Sequence, residues 1–157
     1  MNSPASVWLR RIYTLLMVLL AFTGFSQMPI TKRYFIADLP GMGWSADFYF
    51  VNEFHYVLAA VFLAVVCYMA AMYVVRWRWN WRLSVSGRIR VGLLALIVVS
   101  GIFRVLKNEP DVFLGPKFVF TIDMVHLGAV ILLGITALGA LAAGARAYLQ
   151  RKGVWDS

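Results

Sequence analysis

Four apolar runs, each close to the length that crosses a lipid bilayer, constrain this chain more than any other feature. They run from about Ile12 to Gln27, Phe54 to Val75, Ile89 to Leu106 and Phe118 to Ala145. A transmembrane helix needs about 20 mostly apolar residues. Because 62% of the residues are hydrophobic and the mean hydropathy is +0.76, the composition calls for a bilayer rather than water. We therefore predict an all-α fold, an integral membrane four-helix bundle that forms one domain over residues 1–157.

The first run follows two arginines, as in a signal peptide, and Pro29 closes it. It lacks a small-x-small cleavage site, so we expect it to be retained as a helix. No internal repeat is visible between the runs. The one cysteine, Cys67, lies inside the second run, which excludes a disulfide or a cysteine-based metal site within the chain. We expect it to be a small buried side chain.

The positive charges predict the orientation of the helices. Ten of the 15 Lys and Arg residues fall in the N-terminal segment, the second connection and the C-terminal segment: Arg10, Arg11, Arg76, Arg78, Arg82, Arg88, Arg90, Arg146, Arg151 and Lys152. The other side has Lys32, Arg33, Arg104, Lys107 and Lys117. An excess of basic residues marks the cytoplasmic side, so we predict a multi-pass protein of the inner (cytoplasmic) membrane with both termini in the cytoplasm.

The remaining charge and loop features fit a membrane location. Trp77, Trp79 and Trp81 alternate with arginines, which is typical of a membrane interface. Although the net charge is +8, no soluble basic face is available to bind nucleic acid. The first outer loop, about Met28 to Glu53, is too apolar for a free linker, and we expect it on the membrane surface or under a partner.

The chain has two histidines, His55 and His126, in different runs that both lead from outside to inside. Imidazoles inside membranes are rare and usually functional. At a rise of 1.5 Å per residue, their depths differ by roughly 10 Å at most. Two such imidazoles suit the axial positions of one b-type haem, and they suit zinc less well without a third ligand. The alternative is that each ring only bonds a neighbour. Gly24, Gly101 and Gly128 would let a porphyrin approach, or simply serve helix packing.

Four charged residues lie near the outer ends of the third and fourth runs: Arg104, Lys107, Lys117 and Asp123. Arg104 directly follows an apolar stretch and is a candidate partner for a haem propionate, whereas snorkelling explains the other outer cations. Asp123 lies one turn before His126. Its carboxylate could have a functional role: to orient an imidazole, bind a quinol hydroxyl or relay a proton. The alternative is that Lys117 or Arg104 holds it near the headgroups. Asp123 and Lys117 are thus candidates for a quinone or proton site.

The opening LRRIYTLLMVLLAFTGF places Arg10, Tyr13, Thr23 and Gly24 where one membrane-protein family has an arginine, a histidine and a Thr-Gly pair. The chain resembles the cytochrome b membrane subunits of respiratory formate dehydrogenases and nickel-iron hydrogenases, within the bacterial cytochrome b561-like group. The resemblance implies a four-helix layout whose outer haem is held by histidines of helices two and four, here His55 and His126. It also implies a catalytic and an iron–sulfur subunit outside the cytoplasm and electron transfer to quinone.

Two positions depart from the family. The ligands of the family's inner haem fall at Tyr13 and about Ala140, neither of which provides an imidazole. The resemblance therefore implies a single, outer haem b, and any quinone chemistry would lie near it or on another subunit.

Three functions follow from these observations. The first is an electron-transfer subunit that carries one haem b between an iron–sulfur or cytochrome c partner and the quinone pool, without catalysing the substrate reaction itself. The second is a haem-free membrane anchor that recruits a peripheral enzyme. The third is a small proton-coupled transporter or channel subunit, although the runs lack the broken-helix pairs that often mark such sites.

Overall fold

A computed structural model of the protein describes residues 4–28, 30–144 and 148–152. It is mostly helical, at 76%, with four long apolar helices that could span a membrane. These are α1 (Val7–Ser26), α3 (Phe48–Val75), α4 (Val85–Leu106) and α5 (Pro116–Ala142). A one-turn helix, α2 (Ile30–Arg33), and short 3-10 turns lie in the connections.

The length and exposure of the four helices fit a membrane environment. They have 20, 28, 22 and 27 residues, and the shortest is therefore about 30 Å long, which matches the hydrocarbon core. Their most apolar windows have mean hydropathies from 1.4 to 2.5, yet only 11% to 17% of those windows is buried inside the chain. Surfaces this apolar and this exposed require lipid, so the helices indicate a multi-pass membrane protein.

All four helices begin earlier than the apolar runs predicted, and in three of them a polar side chain caps the helix outside the run. The Ser6 hydroxyl accepts from the Leu9 N–H, 3.2 Å away, and begins α1 at Val7 rather than Ile12. Asp47 begins α3 six residues before Phe54, and Ser84 begins α4 four residues before Ile89. The helix α5 begins at Pro116, a residue favoured at the first helical position.

The predicted helix ends agree closely where they can be compared. The second and third helices end at Val75 and Leu106 as expected, and α1 ends one residue early, at Ser26. The helix α5 ends at Ala142. Pro29, Ala145 and Arg146 lie outside the described residues.

The chain divides into two compact units, Met1–Arg76 and Trp77–Ser157. In the first unit, α1 and α3 pack antiparallel. The rings of Tyr13 and Phe62 lie 5.6 Å apart near one end of this pair, and Thr23 meets His55 near the other. Buried positions recur seven residues apart, at Leu16 and Thr23. Such spacing places both side chains on one face of a helix.

The first outer loop folds back onto the same helix pair. The Thr31 hydroxyl donates to the Ser45 carbonyl, 2.8 Å away, and ties α2 to the 3-10 turn at Gly43–Ala46. Trp44 follows in that turn, and its ring contacts the rings of Phe22, Phe50 and Phe54 at centroid distances of 5.8, 5.8 and 6.2 Å. The apolar loop is thus covered in part by its own unit.

The second unit is a helix hairpin closed by a small β-ribbon. Strands β1 (Trp81–Leu83) and β2 (Leu149–Arg151) pair antiparallel just outside the ends of α4 and α5. The predicted all-α fold did not include this ribbon. It forms because the segments before α4 and after α5 are extended and pair their backbone N–H and C=O groups with each other. The pairing holds β1, from the second connection, and β2, from the C-terminal segment, together at one end of the hairpin.

Candidate functional site

The imidazole of His55 is held by a hydroxyl on the neighbouring helix. His55 lies on α3, seven residues after Phe48 and so about 10 Å along the helix. This is two turns inside the helix, whereas the predicted run, which begins at about Phe54, would place His55 in the first turn. Thr23 of α1 is completely buried, and its Oγ1 lies 2.8 Å from His55 Nδ1.

The hydrogen-bond geometry determines which ring nitrogen carries the proton. Thr23 Oγ1 is also 2.8 Å from the Leu19 carbonyl oxygen, one turn earlier on α1. A hydroxyl has one proton, and two oxygens this close need it between them. The hydroxyl therefore donates to Leu19, and Nδ1 of His55 donates to the hydroxyl. In the neutral ring this places the lone pair on Nε2.

The imidazole of His126 is held in the same way in the second unit. His126 lies on α5, ten residues after Pro116. Its Nδ1 is 3.0 Å from the hydroxyl oxygen of Ser100 on α4, which is 4% exposed. The Ser100 hydroxyl is 2.7 Å from the Leu96 carbonyl oxygen, so it donates there and accepts from Nδ1. The lone pair of the neutral His126 ring is again on Nε2.

A glycine follows each of the two hydroxyl residues and lies against the same imidazole. A Cβ atom at Gly24 would be 3.4 Å from Cε1 of His55, and one at Gly101 would be 3.4 Å from Cε1 of His126. The next nearest ring atom is Nδ1 in both cases, at 3.9 and 3.8 Å, so the missing side chains let each imidazole lie close to the helix that carries its hydroxyl partner. Gly128 has no such neighbour within 4 Å, and its side-chain position is open.

The two units therefore share a local arrangement: a hydroxyl residue and a glycine on one helix, and a histidine on the next. The sequence analysis found no internal repeat, because the shared residues are few and the spacing differs. Thr23 and His55 are 32 residues apart, whereas Ser100 and His126 are 26 apart. A hydroxyl-Gly pair inside each of two apolar runs was the available signal.

Asp123 is paired with two cations of α4. Its Oδ1 accepts from Arg104 Nε at 2.9 Å, and its Oδ2 accepts from Lys107 Nζ at 2.8 Å. The three side chains are between 21% and 31% exposed. The sequence left open whether Lys117 or Arg104 holds the Asp123 carboxylate, and the structure shows Arg104. Lys107 was not expected in this role, and Lys117 is exposed in the first turn of α5 and is not among the ion-pair partners of Asp123 in the described part of the chain.

The polar contacts between α4 and α5 continue from this ion cluster to the imidazole. Ser100, Arg104 and Lys107 are spaced four and three residues apart and so share one face of α4. They meet His126 and Asp123, which share a face of α5. The cluster of Arg104, Lys107 and Asp123 has a formal charge of +1, which favours a nearby anionic group.

Three other residues singled out in the sequence lie away from the two histidine contacts and the ion cluster. Tyr13 packs against Phe62, and Ala140 is 7% exposed. Cys67 is exposed on α3, so the expectation that it is buried was wrong. The physical reason is that α3 buries a single stripe of its surface, and Cys67 lies off that stripe.

Within the described residues, no three His, Cys, Asp or Glu side chains come together as a metal site. A haem iron would need only two axial protein ligands, because the porphyrin supplies the other four. No family model, curated protein or solved structure matches the chain. The resemblance to cytochrome b subunits thus stays a prediction from the residues quoted above.

Proposed function

We propose that the chain is a b-type cytochrome membrane subunit of a respiratory oxidoreductase, with His55 and His126 as the axial ligands of one haem. In each ring, Nε2 would be the ligating nitrogen. A haem bound in this way supplies a carrier of single electrons. The chain would not itself catalyse the substrate reaction.

The matched hydroxyl–imidazole pairs are the observation that carries this proposal. A histidine ligates iron through a nitrogen lone pair, and its other ring N–H is usually held by an acceptor that fixes the ring. Both histidines meet this requirement, through Thr23 and Ser100. A histidine that served only as a packing group would not need the same tautomer in both units.

The glycines support the same reading. Each glycine lets the imidazole lie against the neighbouring helix, because no side chain stands between them. A bulky side chain at Gly24 or Gly101 would press on Cε1 and Nδ1 and displace the ring from the position in which Nδ1 donates to the hydroxyl. A glycine at both positions supports the proposal because it lets each ring keep the orientation in which Nε2 would be the ligating nitrogen.

The ion cluster fits an anionic substituent of the haem. Haem propionates carry negative charge, and the two cations around Asp123 leave a net charge of +1 one turn from His126. We assign Arg104, with Lys107, to hold a propionate by charge-assisted hydrogen bonds. Asp123 keeps both cations in place, and it is the residue best placed to exchange a proton with a quinone.

The charge pattern supports the orientation and location. With the β-ribbon end of the second unit in the cytoplasm, both termini are cytoplasmic and the Asp123 end faces outward. The protein would then be a multi-pass protein of the inner membrane, with electrons passing between an extracytoplasmic iron–sulfur or cytochrome c partner and the quinone pool. Tyr13 and Ala140 provide no second pair of ligands, which favours one haem over two.

The deciding experiment is a dithionite-reduced minus oxidised spectrum of the purified chain, with haem measured as the pyridine haemochrome. We expect about one b haem per chain. Folded protein without haem would refute the proposal and favour the membrane-anchor function. Two haems per chain would contradict the assignment of a single ligand pair.

A further inference from the structure

The β-ribbon end of the second unit gathers positive charge from two distant parts of the sequence. Exposed cations lie before and within β1, in the first turn of α4 and at the end of β2: Arg78, Arg82, Arg88, Arg151 and Lys152. The sequence has no Asp or Glu from Arg76 to Leu106 or from Ala143 to Trp155. The described part of this end therefore has cations and no acidic side chain of its own.

The ribbon lies where phospholipid headgroups would be. Leu83, the last residue of β1, is two residues from Val85, where α4 begins. The helix α4 has 22 residues and is about 33 Å long, slightly more than the hydrocarbon core. A ribbon attached directly to such a helix is at the depth of the lipid phosphates.

Aromatic and basic side chains are combined on this ribbon. Trp81 pairs with Arg151 across the two strands, and directly paired residues point to the same face. Next to them, the guanidinium of Arg78 lies 4.9 Å from the ring centroid of Trp79, which is 67% exposed. Indole rings and cations together are typical of the headgroup layer. There the indole ring meets the apolar part of the lipid, and the cation meets the phosphate.

The ribbon is fastened firmly to α4, so the charges are held in place. The Ser84 N–H donates to the Tyr148 carbonyl, 2.9 Å away. The guanidinium of Arg90, which is 4% exposed, lies 3.9 Å from the centroid of the Tyr148 ring. Gly87 lies so close to the Tyr148 carbonyl that a Cβ atom there would overlap it. A fixed cluster loses less conformational entropy on binding than mobile surface lysines would.

We propose that this β-ribbon surface is a binding site for anionic phospholipids, with Arg151, Lys152 and Arg78 contacting the phosphates and Trp79 inserted beside the glycerol backbone. The inference is independent of haem binding, because it rests on the charge and position of the ribbon. An acidic protein or a nucleic acid is a poorer fit, since the surface is joined to helices that lie in the membrane. Charge complementarity and depth together favour lipid.

The test compares lipids on the full chain in a non-ionic detergent. The protein is titrated separately with phosphatidylglycerol, phosphatidylcholine and inorganic phosphate, and bound lipid is counted by native mass spectrometry. We expect phosphatidylglycerol to be retained in preference to phosphatidylcholine. The double variant Arg151→Gln/Lys152→Gln should weaken this preference by about tenfold, because each basic residue near an anionic headgroup contributes to the free energy of lipid binding.

The double variant Lys32→Gln/Arg33→Gln is the matched control. It removes the same charge from exposed positions of α2 in the first unit and should leave phosphatidylglycerol binding unchanged. Equal retention of both lipids, or an equal loss in both double variants, would overturn the proposal. Saturation by inorganic phosphate at the same concentration as the lipid would also overturn it, since it would show a simple anion site. Thermal unfolding of each variant checks that the fold is intact.

Discussion

The hydroxyl oxygen of Ser100 lies 3.0 Å from Nδ1 of His126 and 2.7 Å from the carbonyl oxygen of Leu96. Because the hydroxyl proton lies between the two oxygens, the ring must donate its own proton to Ser100. A contact between one serine and one histidine thus determines the tautomer of the imidazole. The contact between Thr23 and His55 does the same in the first unit.

The first prediction concerns this positioning contact. Ser100→Ala removes the acceptor of the His126 N–H, so the imidazole donates less electron density to iron, and the midpoint potential of the haem should rise. Losing this hydrogen bond should lower the free energy of unfolding by about 0.5–1.5 kcal/mol. A redox titration and a denaturation curve measure the two effects. Ser100→Thr keeps the hydroxyl and should preserve both values; a potential unchanged in Ser100→Ala would mean that Ser100 does not act through the ligand.

The second prediction concerns the two ligands. His126→Ala and His55→Ala should each abolish the bis-histidine b-haem spectrum, because one axial position of the iron loses its ligand. Tyr13→Ala is the control, since Tyr13 packs on Phe62 and provides no imidazole. Its haem content should equal that of the unchanged chain. A full spectrum in His126→Ala, or a loss of haem in Tyr13→Ala, would show that the ligand assignment is incorrect.

The third prediction concerns the glycines beside the imidazoles. Gly101→Val adds a branched side chain whose Cβ alone would lie 3.4 Å from Cε1 of His126, so the haem content should fall sharply. Gly24→Val should have the same effect beside His55. The comparison is Gly128→Val, because no atom lies within 4 Å of the added Cβ there. Haem content per folded protein is the measurement, and equal content in all three variants would argue for a site elsewhere.

The fourth prediction concerns the ion cluster. Asp123→Asn leaves Arg104 and Lys107 close together without a carboxylate between them, which should lower the free energy of unfolding by about 1–3 kcal/mol. Haem should remain bound, whereas quinone-linked turnover should slow. Lys117→Gln, on the same helix but outside the cluster, should change neither quantity. Unchanged turnover in a stable Asp123→Asn chain would limit Asp123 to a structural role.

The helix boundaries show where sequence reasoning succeeded and where it did not. The apolar runs located all four helices, but three helices begin four to six residues before the runs. In each case the run began where polar residues ended, while the helix began at its cap: Ser6, Asp47 or Ser84. A helix continues past the hydrocarbon core into the interface, where polar residues are tolerated, so hydropathy alone underestimates its length.

By itself, the sequence determined that this chain has four apolar helices of membrane-spanning length, where two histidines lie on them, and which connections are most basic. These features depend on local composition. Only the tertiary structure decided that Thr23 and Ser100 hold the histidines, that Arg104 and Lys107 share Asp123, and that β1 and β2 join two basic segments. Such contacts connect residues 16 to 70 positions apart. They depend on which face each helix turns toward its neighbour, and a lipid-facing helix has apolar residues all round, so its hydropathy pattern does not mark that face.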